Sequence, residues 1–161
     1  HAPGVKGRME VVPTPGPGTV LIDYAHTPDA LENALAALRD FTPGRLICLF
    51  GCGGDRDRGK RPLMGAIAAS MSDLAVVTSD NPRTEEPQAI IDDILKGMEG
   101  MDTPRLVEPD RRKAIRAALA LLQEGDTLVL AGKGHETYQE VNGEKRHLDE
   151  REEVAKFLLS Q

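Results

Sequence analysis

Four stretches of this 161-residue chain hold most of the side chains that could do chemistry. They are Asp23-Tyr24-Ala25-His26, Gly53-Gly54-Asp55-Arg56-Asp57-Arg58-Gly59-Lys60-Arg61, Ser79-Asp80-Asn81-Pro82-Arg83 and Gly132-Lys133-Gly134-His135-Glu136. A guanidinium can grip a carboxylate through two parallel hydrogen bonds, whereas an ammonium acts as a point charge. Arg56 and Arg83 therefore suit carboxylates, and Glu136 suits a substrate ammonium. Together they fit a zwitterion with more than one carboxylate, with salt bridging among themselves as the plain alternative. Asp80, Asn81 and Pro82 are all turn formers, so Arg83 is what exceeds a turn's needs.

The other polar residues allow two readings each. Asp23 ends an apolar run and is either a helix cap or a partner for a ribose hydroxyl. His26 is either a capping residue or, beside a nucleotide, a phosphate partner, because it titrates near neutral pH. Gly54-x-x-x-x-Gly59-Lys60 nearly matches a phosphate-binding P-loop, but Arg61 stands where a Ser or Thr hydroxyl would hold magnesium. Its Asp-Arg-Asp-Arg interior is also unusually charged for a phosphate cradle, while the flanking glycines favour close approach of backbone to a ligand.

The elements that must position these residues follow from apolar patterning. Runs at 19–25, 45–50, 74–78, 105–107 and 126–131 predict strands, and Asn142-Gly143 predicts a hairpin over 138–148. Helical spacing begins at Pro28 and at Pro62 and covers 87–98 and 111–122. Asp149-x-x-Glu152 resembles a capping box that opens a last helix. Continuous apolar strands alternating with helices predict a doubly wound, Rossmann-like α/β fold, with a mainly parallel sheet of about six strands and helices on both faces. The four polar stretches follow strands, and ligands of such sheets bind outside the carboxyl ends of the strands.

Composition narrows the partners. A net charge of -6, no Trp, two Tyr and three Phe argue against nucleic acid, which needs phosphate-neutralising charge and aromatic platforms. No apolar run reaches the roughly 20 residues of a membrane span, and no signal peptide is visible. Cys48 and Cys52 lack a second pair, so they read as buried thiols of a cytoplasmic protein rather than as a zinc site. Residues 1–18 read as a leader or linker from a missing central domain, and 19–161 as the domain proper.

Taken in order, Asp23-Tyr24-Ala25-His26-Thr27-Pro28, Gly51-Cys52-Gly53-Gly54-Asp55-Arg56-Asp57, Asp80-Asn81-Pro82-Arg83 and Gly132-Lys133-Gly134-His135-Glu136 resemble the carboxy-terminal domain of the Mur ligases. The resemblance runs from about Gly7 to the end and is strongest to the branch that uses meso-diaminopimelate. It implies an ATP-driven amide ligation, in which meso-diaminopimelate attacks an acyl phosphate made on UDP-N-acetylmuramoyl-L-alanyl-D-glutamate. It further implies that Arg8, Asp23 and His26, with Lys60, contact ATP. Arg56, Asp80, Asn81, Pro82, Arg83, Gly132 and Glu136 would hold diaminopimelate. The ATPase loop and the magnesium site would belong to domains absent from this chain, so it holds no assigned catalytic residue or metal ligand and should not ligate alone. Two other readings stand beside this one: a self-contained P-loop-like nucleotide-binding domain, and a non-catalytic binding module for dicarboxylic amino acids.

Overall fold

The computed structural model describes residues 9–14 and 16–160, so Arg8, expected at the nucleotide, lies outside the described residues. Five strands are parallel: β2 (Thr19–Asp23), β3 (Leu46–Phe50), β4 (Leu74–Val77), β5 (Arg105–Val107) and β6 (Thr127–Ala131). A sixth, β1 (Met9–Val12), runs antiparallel along β2, giving the order β1-β2-β6-β3-β4-β5. The stretch expected as leader or linker thus contributes an edge strand, Met9 pairing with Asp23 and Val12 with Val20. The Pro- and Gly-rich residues after Val12 lie between two strands of one sheet, where such residues serve as turn formers.

Each central strand is buried on both sides, so side-chain alternation divides the core in two. In β3, Leu46, Cys48 and Phe50 pack with Leu31, Leu35, Ala68, Ile91 and Ile94, which belong to α1 (Pro28–Arg39), α2 (Lys60–Met71) and α3 (Pro87–Lys96). Ile47 and Leu49 face the other way, onto Ala114, Ile115 and Val154 of α4 (Arg111–Leu121) and α5 (Glu150–Leu159). The chain therefore winds β3-β4-β5 with helices on one face. It returns through α4 on the other face to insert β6 between β2 and β3.

Register then aligns the strand ends. Asp23 lies opposite Ala131, and Phe50 opposite Val77, so the loops after β2, β3, β4 and β6 leave one edge of the sheet. Helix starts are fixed locally. Thr27 caps α1 by accepting from the Ala30 N–H at 3.2 Å, with Pro28 in the first turn, so the cap is Thr27 and not Asp23. Asp149 caps α5 by accepting from the Arg151 N–H at 3.0 Å. The expected capping box stays open, because Glu152 turns to His147 at 2.7 Å. Asn142 and Gly143 both adopt positive φ, 51° and 79°, and join β7 (Tyr138–Val141) to β8 (Glu144–His147) as the hairpin turn demands.

One ion pair beneath this edge is wholly buried. The Arg111 guanidinium sits 2.8 Å from Glu150 and also donates to the Ser79 carbonyl at 2.8 Å and the Ala131 carbonyl at 3.1 Å. It thereby ties the ends of β4 and β6 to α5. Removing one member of such a pair leaves the other charge without compensation. We expect Glu150→Ala to lower unfolding free energy by about 3–5 kcal/mol in urea titration. A loss no larger than that of an exposed salt bridge would contradict this account of the edge.

Candidate functional site

The converging loops enclose a cavity of about 410 Å³ lined by Arg56, Asp80, Asn81, Arg83, Gly132 and Glu136, with Tyr24, His26, Cys52 and Lys60 among the others. Six of the seven residues expected to hold an amino acid thus meet in one place. Pro82 does not line the cavity; it is buried, and its carbonyl accepts the Glu85 N–H at 3.0 Å. Arg56 is exposed and holds the Asp55 carbonyl at 3.0 Å, and Glu136 is partly buried.

The loops after β3 and β4 are interlocked. A Cβ on Gly54 would fall 1.8 Å from the Pro82 carbonyl oxygen, so Gly54 serves contact between loops, and not the approach to ligand that its sequence suggests. The Gly54 N–H donates to the Asn81 carbonyl at 2.7 Å, and Asp55 accepts from the Thr84 hydroxyl at 2.7 Å. Behind them Arg61, wholly buried, donates to Glu85 at 2.7 Å, Asp93 at 3.0 Å and the Gly53 carbonyl at 3.0 Å. These Arg61 hydrogen bonds, followed by one from the Asp55 N–H, hold the Glu85 carboxyl below the usual carboxylate range.

A P-loop would leave its amides pointing at phosphate. Here Gly54 N–H is taken by Asn81, Asp55 N–H by Glu85 at 2.6 Å, Gly59 N–H by Asp57 at 2.8 Å and Arg61 N–H by the Arg58 carbonyl at 3.2 Å. Lys60 donates to the His26 carbonyl at 2.8 Å. Four of the amides in this loop are thus occupied within the protein, which counts against the P-loop reading.

Arg83 carries the least ordinary backbone of the site. Its φ is 53°, a left-handed conformation that costs a non-glycine residue on the order of 1–3 kcal/mol. The hairpin holds it there: Arg83 N–H donates to the Glu140 carbonyl at 3.0 Å, and Asn142 N–H donates to the Arg83 carbonyl at 2.8 Å. Its Nη1 donates to the Gly54 carbonyl at 2.8 Å, and its Nε lies 3.4 Å from the Glu140 carboxylate. The guanidinium is thereby set at the cavity wall.

Lys133 was not singled out as a site residue in the sequence, yet it lies at the centre of this network. Its wholly buried ammonium donates to Asn81 Oδ1 at 3.0 Å and to the Tyr138 carbonyl at 2.9 Å. It also lies 3.2 Å from Asp80 and 3.6 Å from Glu136. Its position directly after a strand was the available signal, but residue type alone does not tell a buried lysine from an exposed one. His135 stands outside the cavity lining, and its Nδ1 lies 3.0 Å from Arg151.

Asp23 is buried and lines a second cavity of about 600 Å³ with Tyr24, His26, Thr27, Asp29 and Asn33. His26 borders both cavities, whereas Lys60 lines the first with Arg56 and Arg83. The nucleotide residues expected together are therefore divided. The second cavity offers acceptors for sugar hydroxyls but no lysine or arginine among the described residues, so it fits a nucleoside better than a triphosphate. Among the described residues no group of three or more His, Cys, Asp or Glu side chains is placed to hold a metal ion, and no helix is long and apolar enough to cross a membrane.

Residues 7–134 match the family described as Mur ligase, glutamate ligase domain. The chain is 59% identical over 158 residues to the UDP-N-acetylmuramoyl-L-alanyl-D-glutamate--2,6-diaminopimelate ligase of Thermosynechococcus vestitus, covering 97% of this chain and 32% of that protein. A solved structure of a ligase with the same description superposes with a TM-score of 0.90 at 44% identity, over 99% of this chain and 32% of that one. Mycobacterium tuberculosis folylpolyglutamate synthase complexed with ADP shares the fold at a TM-score of 0.60 and 21% identity, over 99% of this chain and 32% of that one. The chain spans about a third of the length of the relatives it matches.

Burial makes one cavity residue inert. Cys52 is only 2% exposed, and desolvation pushes its thiol up to about 12, as it does that of Cys48. We expect both thiols to resist a disulfide reagent at mildly alkaline pH in the folded chain and to react once the chain is unfolded, read as thiols titrated per chain. Fast labelling of Cys52 without denaturant would mean that the cavity wall opens.

Proposed function

Since this chain belongs to the Mur ligase family, as a glutamate ligase domain, we propose that it is the amino-acid-binding domain of an ATP-dependent ligase that joins meso-diaminopimelate to UDP-N-acetylmuramoyl-L-alanyl-D-glutamate. That reaction makes a peptidoglycan precursor. The observation that carries the proposal is the meeting of Arg56, Arg83 and Glu136 at one cavity. Two guanidiniums and one carboxylate complement a substrate with two carboxylates and an ammonium. The ligases named for this activity, similar along nearly the whole chain, support the same reading.

In this reading Arg83 pairs with the distal carboxylate, which lysine lacks. A lysine substrate keeps the distal ammonium but lacks the carboxylate beside it, so the guanidinium would face a like charge with no counter-ion, a contact that works as negative selection. Arg56 takes the second carboxylate together with the Asn81 amide, and Glu136, with Asp80 and Gly132, holds the amino end. The substrate is held with its amine directed at the acyl group, which converts a bimolecular encounter into an oriented one.

ATP fits only in part. Asp23 would accept from the ribose hydroxyls, and His26 would lie towards the phosphates. Arg8 and Lys60 remain proposed phosphate contacts, with the remaining charge neutralised elsewhere in the full-length ligase. Magnesium, like the ATPase loop, is assigned in this proposal to that remainder. Buried, reduced Cys48 and Cys52 suit the cytoplasm, where ATP is available.

Steady-state kinetics of the full-length ligase tests the assignment. Leaving a partner charge without its guanidinium costs about 2–5 kcal/mol. We expect Arg83→Ala to raise the KM for meso-diaminopimelate from about thirtyfold to several thousandfold while the KM for ATP stays within about threefold. Equal rises for both substrates would remove Arg83 from the amino-acid site.

A further inference from the structure

We infer that Lys133 is a positioning residue for the amino-acid substrate, acting through Asn81 and Glu136 without touching the ligand. The inference deepens the ligase reading and rests on it. An ammonium has three N–H donors. One goes to Asn81 Oδ1 at 3.0 Å and one to the Tyr138 carbonyl at 2.9 Å. The third faces two carboxylates, Asp80 Oδ1 at 3.2 Å and Glu136 Oε1 at 3.6 Å. The side chain is wholly buried behind these partners, so the ammonium acts on substrate through them.

What Lys133 does is orient. Asn81 Oδ1 accepts a second hydrogen bond, from the Glu140 N–H at 2.8 Å. A side-chain amide whose oxygen is claimed by two donors cannot turn over, since its NH2 would then meet an ammonium and a backbone N–H. Asn81 lines the cavity, so the amide is held with its Nδ2 donors as the part left for a ligand carboxylate. The same ammonium anchors Glu136, leaving its second oxygen for the substrate amine.

Charge gives an independent reason for a cation at this point. The cavity lining balances Arg56, Lys60 and Arg83 against Asp57, Asp80 and Glu136. A diamino dicarboxylate must give up a proton from one amine before that amine can attack, and it then carries net negative charge. Lys133, one layer behind the wall, supplies the surplus positive charge that balanced lining lacks.

The test is a double-mutant cycle in the full-length ligase, measured by steady-state kinetics for both substrates. Lys133→Met is expected to raise the KM for meso-diaminopimelate about 10- to 100-fold, the worth of one hydrogen bond to a charged group, with the KM for ATP unchanged within about threefold. Asn81→Ala should produce a similar selective defect. The defect of the variant carrying both changes should fall well short of the product of the two single defects, because the part of the Lys133 effect that runs through Asn81 is already lost. Multiplied defects in the double variant, or parallel rises in both KM values, would reduce Lys133 to scaffold and overturn the inference. Should Lys133→Met fail to fold, Lys133→Gln, which keeps a donor towards Asn81, is read by the same criteria with a smaller selective defect expected. A wild-type ligase with no diaminopimelate-dependent ATP cleavage would instead refute the ligase reading, and this inference with it.

Discussion

Three buried cations hold the carboxyl edge of this sheet together, and the site exists because of them. Arg61, Arg111 and Lys133 each have wholly buried side chains. Arg61 joins the β3 loop, through the Gly53 carbonyl, to Glu85 and Asp93 on and before α3. Arg111 joins the ends of β4 and β6 to α5. Lys133 joins the β6 loop to the β4 loop and the hairpin. Transferring a charge from water into a protein interior costs several kcal/mol, recovered only when partners satisfy its hydrogen-bonding capacity. Four loops of irregular backbone cannot close over one another with hydrophobic contacts alone, because their carbonyls need donors. Buried guanidinium and ammonium groups supply several donors each in one place, and carboxylates beside them meet the charge.

That scaffolding explains the tolerance of strain at Arg83. A left-handed arginine persists only where its surroundings over-determine it. Here its N–H and carbonyl are both taken by the hairpin, at Glu140 and Asn142, and its guanidinium is held by the Gly54 carbonyl. The hairpin joins the loops after β4 and β6 through a bridge between Arg83 and Val141 and through the Lys133 contact with the Tyr138 carbonyl. It is a strut for the β4 loop. Its turn chemistry, Asn142-Gly143, reaches the site through four residues of β7 that carry the register from the turn to Tyr138.

Much of this architecture was legible in the residues. Apolar runs flanked by helical spacing identified the parallel strands to within two residues, because strands buried on both faces admit little else. The edge strand β1 escaped, since Met9-Glu10-Val11-Val12 is short and pairs on one side only, so neither length nor burial pattern marks it. Convergence of the four polar loops followed from topology. The roles within the loops did not. Gly54 meets Pro82 instead of ligand, Arg61 is a buried clamp instead of a failed P-loop hydroxyl, and Lys133 is interior although it sits in a polar stretch. Each of these depends on which side chain is desolvated. That is decided by contacts between loops far apart in sequence.

The same contacts decide how the two cavities relate. Tyr24, His26 and Thr27 border both, and the α1 cap at Thr27 and the Lys60 bond to the His26 carbonyl fix this short loop from either side. Lys60 begins α2 on the amino-acid side, so its ammonium spends one N–H on the backbone that separates that side from Asp23. A lysine used in this way keeps its charge in the first cavity and stiffens the partition, two effects that a phosphate-binding lysine in a P-loop would not combine. On the proposed reading the nucleotide and the amino acid are thus neighbours across a loop anchored at both ends. The phosphoryl group from one side and the amine from the other can then reach the same carboxylate of the muramoyl substrate in turn, at the shared rim, without rearrangement of the sheet beneath.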